Sequence, residues 1–293
     1  WLWLLKSKKK GKIYFVFSFH GHEKEAEVAL RGAVHRLRMY GGTEEKKVLC
    51  LDTDPQGNLT FALTGGNAIT SKAFANRSLY DMIDGFRYNT QTRDFIVESE
   101  YENVDLIPAN DQTPRLSKRL EDLYTDAQRD YDRGDPKYLA SDTDVLDYFL
   151  RQVKDEYDVI IIDCQPSLGL LTVNALTAAD GVIIPVAAEF FALRGVALLM
   201  QSIEKVQSRI NPSLEVYGVL VTMYTRTLHC EEVLQRIYEA FQGKVFHSVI
   251  SRSIKLPDST VAAAPITIYA PSHKTAKEYR EVARELIAND IVA

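Results

Sequence analysis

Cysteine is scarce in this chain. Cys50, Cys164 and Cys230 are too few and too far apart for a disulfide framework or a zinc site, so they read as reduced thiols of a cytosolic protein. No apolar run approaches the ~20 residues that a membrane-crossing helix needs. The opening WLWLL precedes KSKKKGK, the reverse of a secretory signal; these five apolar residues are compatible with dipping into a membrane surface or, given Trp in place of Met, with a start that is not the protein's own. A strong charge of one sign is missing too. The net charge is −5, so no global field draws the chain to nucleic acid, and any DNA contact must come from a local basic patch. There is no internal repeat, low-complexity tract or composition break, and one domain is the simpler account of 293 residues.

A glycine-rich phosphate loop is also missing. Residues 12 to 18, KIYFVFS, read as a first strand, after which a nucleotide-binding α/β protein places G-x-x-x-x-G-K-[ST] at a helix N-terminus. Here the chain runs FHGHEKEAEVALRGAVHRLRMYGG, with Gly21 alone and with Glu23, Glu25 and Glu27 where anionic phosphate would sit. Residues 23 to 38 are compatible with a helix. His20 and His22 flank Gly21 but form only a weak metal-binding pair.

What is present is organised around YDVIIIDCQPSLGLLT, residues 157 to 172. A short β-branched run closed by Asp163 and followed by Pro166 and Gly169 reads as a central parallel strand buried on both faces. Ligands of open parallel sheets bind beyond the carboxyl ends of the strands, so Asp163 stands where an acid can steer a magnesium ion, or else simply caps the next helix. KVLCLDTDPQGNLT, residues 47 to 60, repeats the design, with Asp52 and Asp54 at its end, Pro55 stopping the strand and Gly57 allowing a sharp turn.

Further strands are expected at 104–108, 181–186, 216–222 and 244–250. Helices are expected at 78–83, 167–179, 190–210, 230–241 and 273–288, with 115–150 helical but interrupted at 133–136. Strand and helix alternate, which predicts an α/β fold: a mostly parallel sheet with helices on both faces.

KVLCLDTDPQGNLT, DVIIIDCQPSLGLLTVNALTAADGVIIPVAAEFFALRG and GVLVTMYTRT, in that order, closely resemble the ParA/Soj family of partitioning ATPases, which belongs to the deviant Walker A class of P-loop proteins. The resemblance spans residues 46 to 288 and divides the chain into a ParA-like body, 46–293, and an aberrant segment, 1–45, in place of the phosphate loop and its helix. It implies ATP and Mg2+ as cofactors. Asp163 would be the Walker B acid, Asp52 would end the neighbouring strand near the metal, and Asp54 would orient the attacking water. Met223 and Pro257 lie in segments that resemble the adenine pocket. Arg226, in MYTRT, and Lys255, in SRSIKLP, match basic positions near the DNA face.

The family's activity would then be ATP-dependent homodimerisation, binding of nonspecific DNA on the nucleoid in the cytoplasm, and hydrolysis stimulated by a ParB-like partner. Several residues depart from the family pattern. Neither lysine of the loop can be assigned, Gln165 replaces a usual Pro, and 258–262 read DSTVA in place of the family's loop. A frame error upstream of Lys46 would explain so abrupt a change, as would a true relative that has lost the loop. The alternatives are a scaffold that binds no nucleotide, or a membrane-associated relative of the MinD type. The last needs a basic amphipathic C-terminal helix, whereas KEYREVARELIANDIVA intersperses acids, so no stable membrane association is expected.

Overall fold

The computed structural model describes residues 12–17, 47–66, 72–88, 90–132, 141–164, 169–189 and 192–288. The segment expected to hold the phosphate loop, the paired histidines and the helix at 23–38 lies outside these residues, as does the turn containing Gln165.

Seven strands form one sheet: β1 (Lys12–Phe17), β2 (Val48–Asp52), β3 (Val97–Glu98), β4 (Val104–Ile107), β5 (Val159–Cys164), β6 (Gly181–Ala187) and β7 (Glu215–Thr222). Their order is β3-β4-β2-β5-β1-β6-β7, and all pairings are parallel except the short β3–β4 pair. The described helices are α1 (Asn58–Leu63), α2 (Leu79–Asp84), α3 (Leu116–Asp132), α4 (Val145–Arg151), α5 (Leu170–Ala178), α6 (Ala192–Arg209), α7 (Leu228–Ala240), α8 (Lys255–Val261), α9 (Ile266–Tyr269) and α10 (Lys274–Ala288).

The central strands β2, β5 and β6 are buried at every position. Successive residues of a strand point to opposite faces, and the two hydrophobic cores divide accordingly. Leu49, Leu51, Ile160 and Ile162 pack under α2 to α7, whereas Val48, Cys50, Val159 and Ile161 pack under α1, α8, α9 and α10. This is the physical basis of the unbroken apolar runs in the sequence: both faces are covered, so no position alternates to polar. Pro185 is tolerated because β6 pairs with β1 only as far as Ile183. Gly181 is required by close approach, since a Cβ there would lie 1.7 Å from the Tyr217 ring.

The stretch 244–250 is not the expected strand. It touches the sheet through single bridges, Val219 to Val245 and Tyr224 to Ser251. Its bonds to β7 are discontinuous, Phe246 N–H donating to Val219 O (3.0 Å) and Ile250 N–H to Val221 O (2.9 Å), and carboxylates on α10 take amides of the residues around that break. His247 and Ser248 donate to Glu285 (2.7 and 3.1 Å), and Ser251 donates to Glu278 (2.9 Å). Among the described residues no helix is long and apolar enough to cross a membrane.

Helix α8 ends in the paired hydrogen bonds of a left-handed stop: Ala264 N–H to Ser259 O and Ala263 N–H to Thr260 O, both 3.0 Å. The residue in the left-handed position is Ala263, at φ +48°, where glycine carries no steric penalty. Ala263→Gly should therefore stabilise the protein by about 1 kcal/mol, read as a higher denaturant midpoint with an unchanged slope; an equal or lower midpoint would refute the strain.

Candidate active site at the carboxyl ends of the strands

The chain leaves β1 towards β2 on one side and crosses from β5 to β6 on the other, so β1, lying between β5 and β6, is where the strand order reverses. The crevice of an open α/β sheet forms at such a point. Asp52 and Asp163 are register partners on β2 and β5 and point to the same face, with Asp163 also opposite Val16 of β1. Beyond the ladder, Thr53 ties the two strands together, its N–H (3.0 Å) and hydroxyl (2.7 Å) both donating to Asp163 O.

The D-x-D-P-Q-G sequence builds the turn that follows. Gly57 N–H donates to Asp54 O (2.9 Å), Gln56 N–H donates to Asp54 Oδ1 (2.9 Å), and Gly57 sits at φ +60° to start α1. The three acids are brought together and buried, at 0%, 7% and 5% exposure for Asp52, Asp54 and Asp163. Their proximity shows in the Cys164 thiol between them, which is pushed well up by burial and further by the charges of Asp163, Asp54 and Asp52, against a hydrogen bond from Thr53.

Asp52 is anchored by the protein itself. Its Oδ2 accepts from Thr60 N–H (2.7 Å) and the Thr60 hydroxyl (2.6 Å), and its Oδ1 accepts from Asp54 N–H (3.2 Å). The same Thr60 oxygen accepts from Ala109 N–H (2.9 Å), so one buried carboxylate joins β2, α1 and the end of β4. Asp54 differs: burial pushes its carboxyl up, and the Gln56 amide only partly offsets this.

Among the described residues no three acids, histidines or cysteines converge closely enough to cage a metal by themselves. A pair of buried carboxylates nevertheless fits a hard cation that takes one or two of them and completes its shell with phosphate oxygens and water.

Of the remaining sequence-predicted residues, Met223 and Arg226 follow β7, across β1 and β6 from the acids, and Lys255 and Pro257 lie on α8. Met223 follows β7, is buried, and has a left-handed backbone at φ +56°, which is rare for a residue with a long side chain. Arg226 is exposed in the tight turn before α7, between Thr225, whose hydroxyl meets Cys230 Sγ (3.1 Å), and Thr227, whose hydroxyl caps the helix. Pro257 is exposed on α8, and Lys255 opens that helix, 3.1 Å from Asp258 and over the Tyr269 ring. Sequence reasoning missed Thr60, whose position eight residues after Asp52 becomes meaningful only once α1 folds back. It also missed Glu278 and Glu285, for which the only available signal was their seven-residue spacing on one helix face.

A protein family described as an AAA domain matches residues 37–216. The chromosome-partitioning ATPase Soj of Treponema pallidum is 35% identical over 255 residues, which cover 87% of this chain and 90% of that protein. Among solved structures, a cobyrinic acid a,c-diamide synthase from Mycobacterium smegmatis with bound ATP analogue and magnesium superposes at a TM-score of 0.71 with 28% identity, covering 96% of each chain. A putative plasmid partition protein from Borrelia burgdorferi bound to AMPPNP superposes at 0.72 with 20% identity, covering 96% of this chain and all of that one, and so shares the fold.

Two substitutions separate the roles of the acids. Thr60→Val leaves a buried carboxylate and the Ala109 N–H short of partners and should cost about 2–3 kcal/mol in chemical denaturation. Asp54→Asn keeps the bond from Gln56 but removes a charge that burial disfavours. Because the folded state raises the pKa of Asp54, its contribution to stability is present below the ordinary value of 3.8 and is lost as pH rises. The Asn variant should therefore be more stable than the parent at neutral pH, and the gap should close as pH falls below that value; a gap independent of pH would exclude the burial effect.

Proposed function

The chain belongs to the ParA/Soj family of P-loop partitioning ATPases, and on that premise we propose that its body is a magnesium-dependent ATPase whose nucleotide state controls pairing of two copies and their hold on nonspecific DNA. The observation that carries this reading is the burial of Asp54 and Asp163 at the ends of β2 and β5, next to the exit of β1. Phosphoryl transfer needs charge stabilisation and an oriented water more than covalent chemistry. Asp163, backed by Asp52, would hold the metal, which would neutralise charge on the phosphates. Asp54, whose burial raises its affinity for a proton above that of an ordinary carboxylate, would orient the attacking water.

Met223 and Pro257 would line the adenine side. Arg226 and Lys255 would meet DNA phosphates, and a ParB-like partner would accelerate hydrolysis and release. The rigid turn around Arg226 supports this over a freely solvated side chain. Such a protein would work in the cytoplasm on the nucleoid. Residues 1–45 are the aberrant part of this proposal: they supply acids where the family has its two lysines, and the family match begins only at residue 37.

A scaffold that keeps the fold without the nucleotide is the second reading, and the unassigned loop lysines favour it. Calorimetry with magnesium-ATP separates the two. This chain should bind weakly or not at all, and a version that keeps β1 but has residues 18–45 replaced by a family phosphate loop and helix should bind and hydrolyse. In that version Asp54→Ala should lower kcat about 100-fold or more while leaving binding intact. If neither version binds, the ATPase reading falls; if this chain binds tightly unaided, residues 18–46 hold a phosphate site of another kind.

A further inference from the structure

Beyond β7 two segments run side by side. Tyr224 N–H donates to Ile250 O (3.0 Å) and Arg252 N–H donates to Tyr224 O (2.9 Å), so residues 250 and 252 bracket Tyr224. Arg226 lies two residues past that bracket on one segment, and Arg252 closes it on the other. Both are exposed, and among the described residues neither lies within ion-pair distance of a carboxylate. Lys255, three residues on, is different: its ammonium is 3.1 Å from Asp258 and sits over the Tyr269 ring, so part of its charge is already spent within α8 and α9.

The backbone beneath Arg252 is fixed from behind. Glu278 accepts from both Ser251 N–H (2.9 Å) and the Ser251 hydroxyl (2.7 Å), and Lys274 donates to that hydroxyl (2.9 Å) while lying 3.3 Å from Glu278. Glu285 holds the amides of His247 and Ser248 one register earlier. Four backbone or hydroxyl donors in five residues are thus taken by two carboxylates on one face of α10.

We propose that Arg252 is a phosphate contact equal to Arg226, that Glu278 is its positioning residue, and that Lys255 is the lesser contributor. This rests on the DNA-binding part of the proposed function and refines which cations perform it. An uncommitted guanidinium on a fixed backbone, with a planar fork of donors, suits phosphate better than an ammonium already paired. Each phosphate neutralised contributes about 0.9 to the slope of log affinity against log salt on duplex DNA, so the slope counts contacts independently of stability.

The test is fluorescence anisotropy on a short duplex of arbitrary sequence across a salt series with magnesium-ATP, on this chain and on the version carrying a family phosphate loop. Arg226→Ala and Arg252→Ala should each flatten the slope by about one contact per protomer, and Lys255→Ala by clearly less. Glu278→Ala should reproduce the flattening of Arg252→Ala, and Glu278→Gln, which still accepts from the Ser251 amide, should restore the parent slope. Thermal melting of each variant identifies any that fail to fold, and in that event the Gln variant and Arg252→Ala still decide. An unchanged slope in Arg252→Ala beside a flattened one in Arg226→Ala would overturn the inference and leave the DNA-binding reading standing. No DNA binding by either parent would remove both.

Discussion

Ionised carboxylates resist burial, and this protein places three of them at the ends of two adjacent central strands, where the sheet leaves least room for water. Most of the local architecture follows from how each is accommodated. Asp52 is satisfied in place by Thr60 and the Asp54 amide, which forces α1 to fold back against β2. Thr53 binds the β5 end through Asp163 O, so the two strand ends behave as one unit. Asp54 keeps one amide donor, from Gln56, against the cost of its burial, which is where reactivity is stored: a carboxyl held uncomfortably as an anion is ready to accept a proton. Stability and chemistry are divided between neighbouring acids, one supporting the fold and the other costing it.

The sheet was legible in the sequence because its central strands are covered on both faces. VLCLD, VIIID and GVIIPVA carry no polar residue until the strand reaches the site, so strand, burial and candidate acid were read together. Helix α2 was read at 78–83, and its start is fixed by a capping box in which Ser78 accepts from Asp81 N–H while Asp81 accepts from Ser78 N–H. Residues 244 to 250 misled because their composition suits a strand, whereas their bonds to β7 are interrupted where Glu285 of α10 takes the His247 and Ser248 amides, and local pattern carries no trace of so distant a contact. Lys255 was named because SRSIKLP matches a basic position of the family, and neither its pairing with Asp258 nor the exposure of Arg252 is visible in that match.

The acidic and basic regions are handled differently. The acids lie at buried strand ends, where backbone amides hold the Asp52 and Asp54 carboxylates and the Thr60 hydroxyl holds Asp52. The cations stand on exposed turns, and their precision comes from the backbone under them: a threonine on each side of Arg226, and the Glu278 grip on Ser251 next to Arg252. An overall charge of −5 is therefore no obstacle to a polyanion-binding face, because the field that matters is set locally by a few guanidinium groups.

The grip of α10 on residues 247 to 251 also has a consequence in time. Domains assemble as the chain is synthesised from its N-terminus, and the carboxylates that hold this segment come some 30 residues after it. Until α10 docks, one face of the central strands lacks part of its cover and residues 247 to 251 lack the carboxylates that fix them, keeping only the backbone bonds to β7 and Tyr224. Docking of the last helix therefore closes the core and fixes the Arg252 segment in one step.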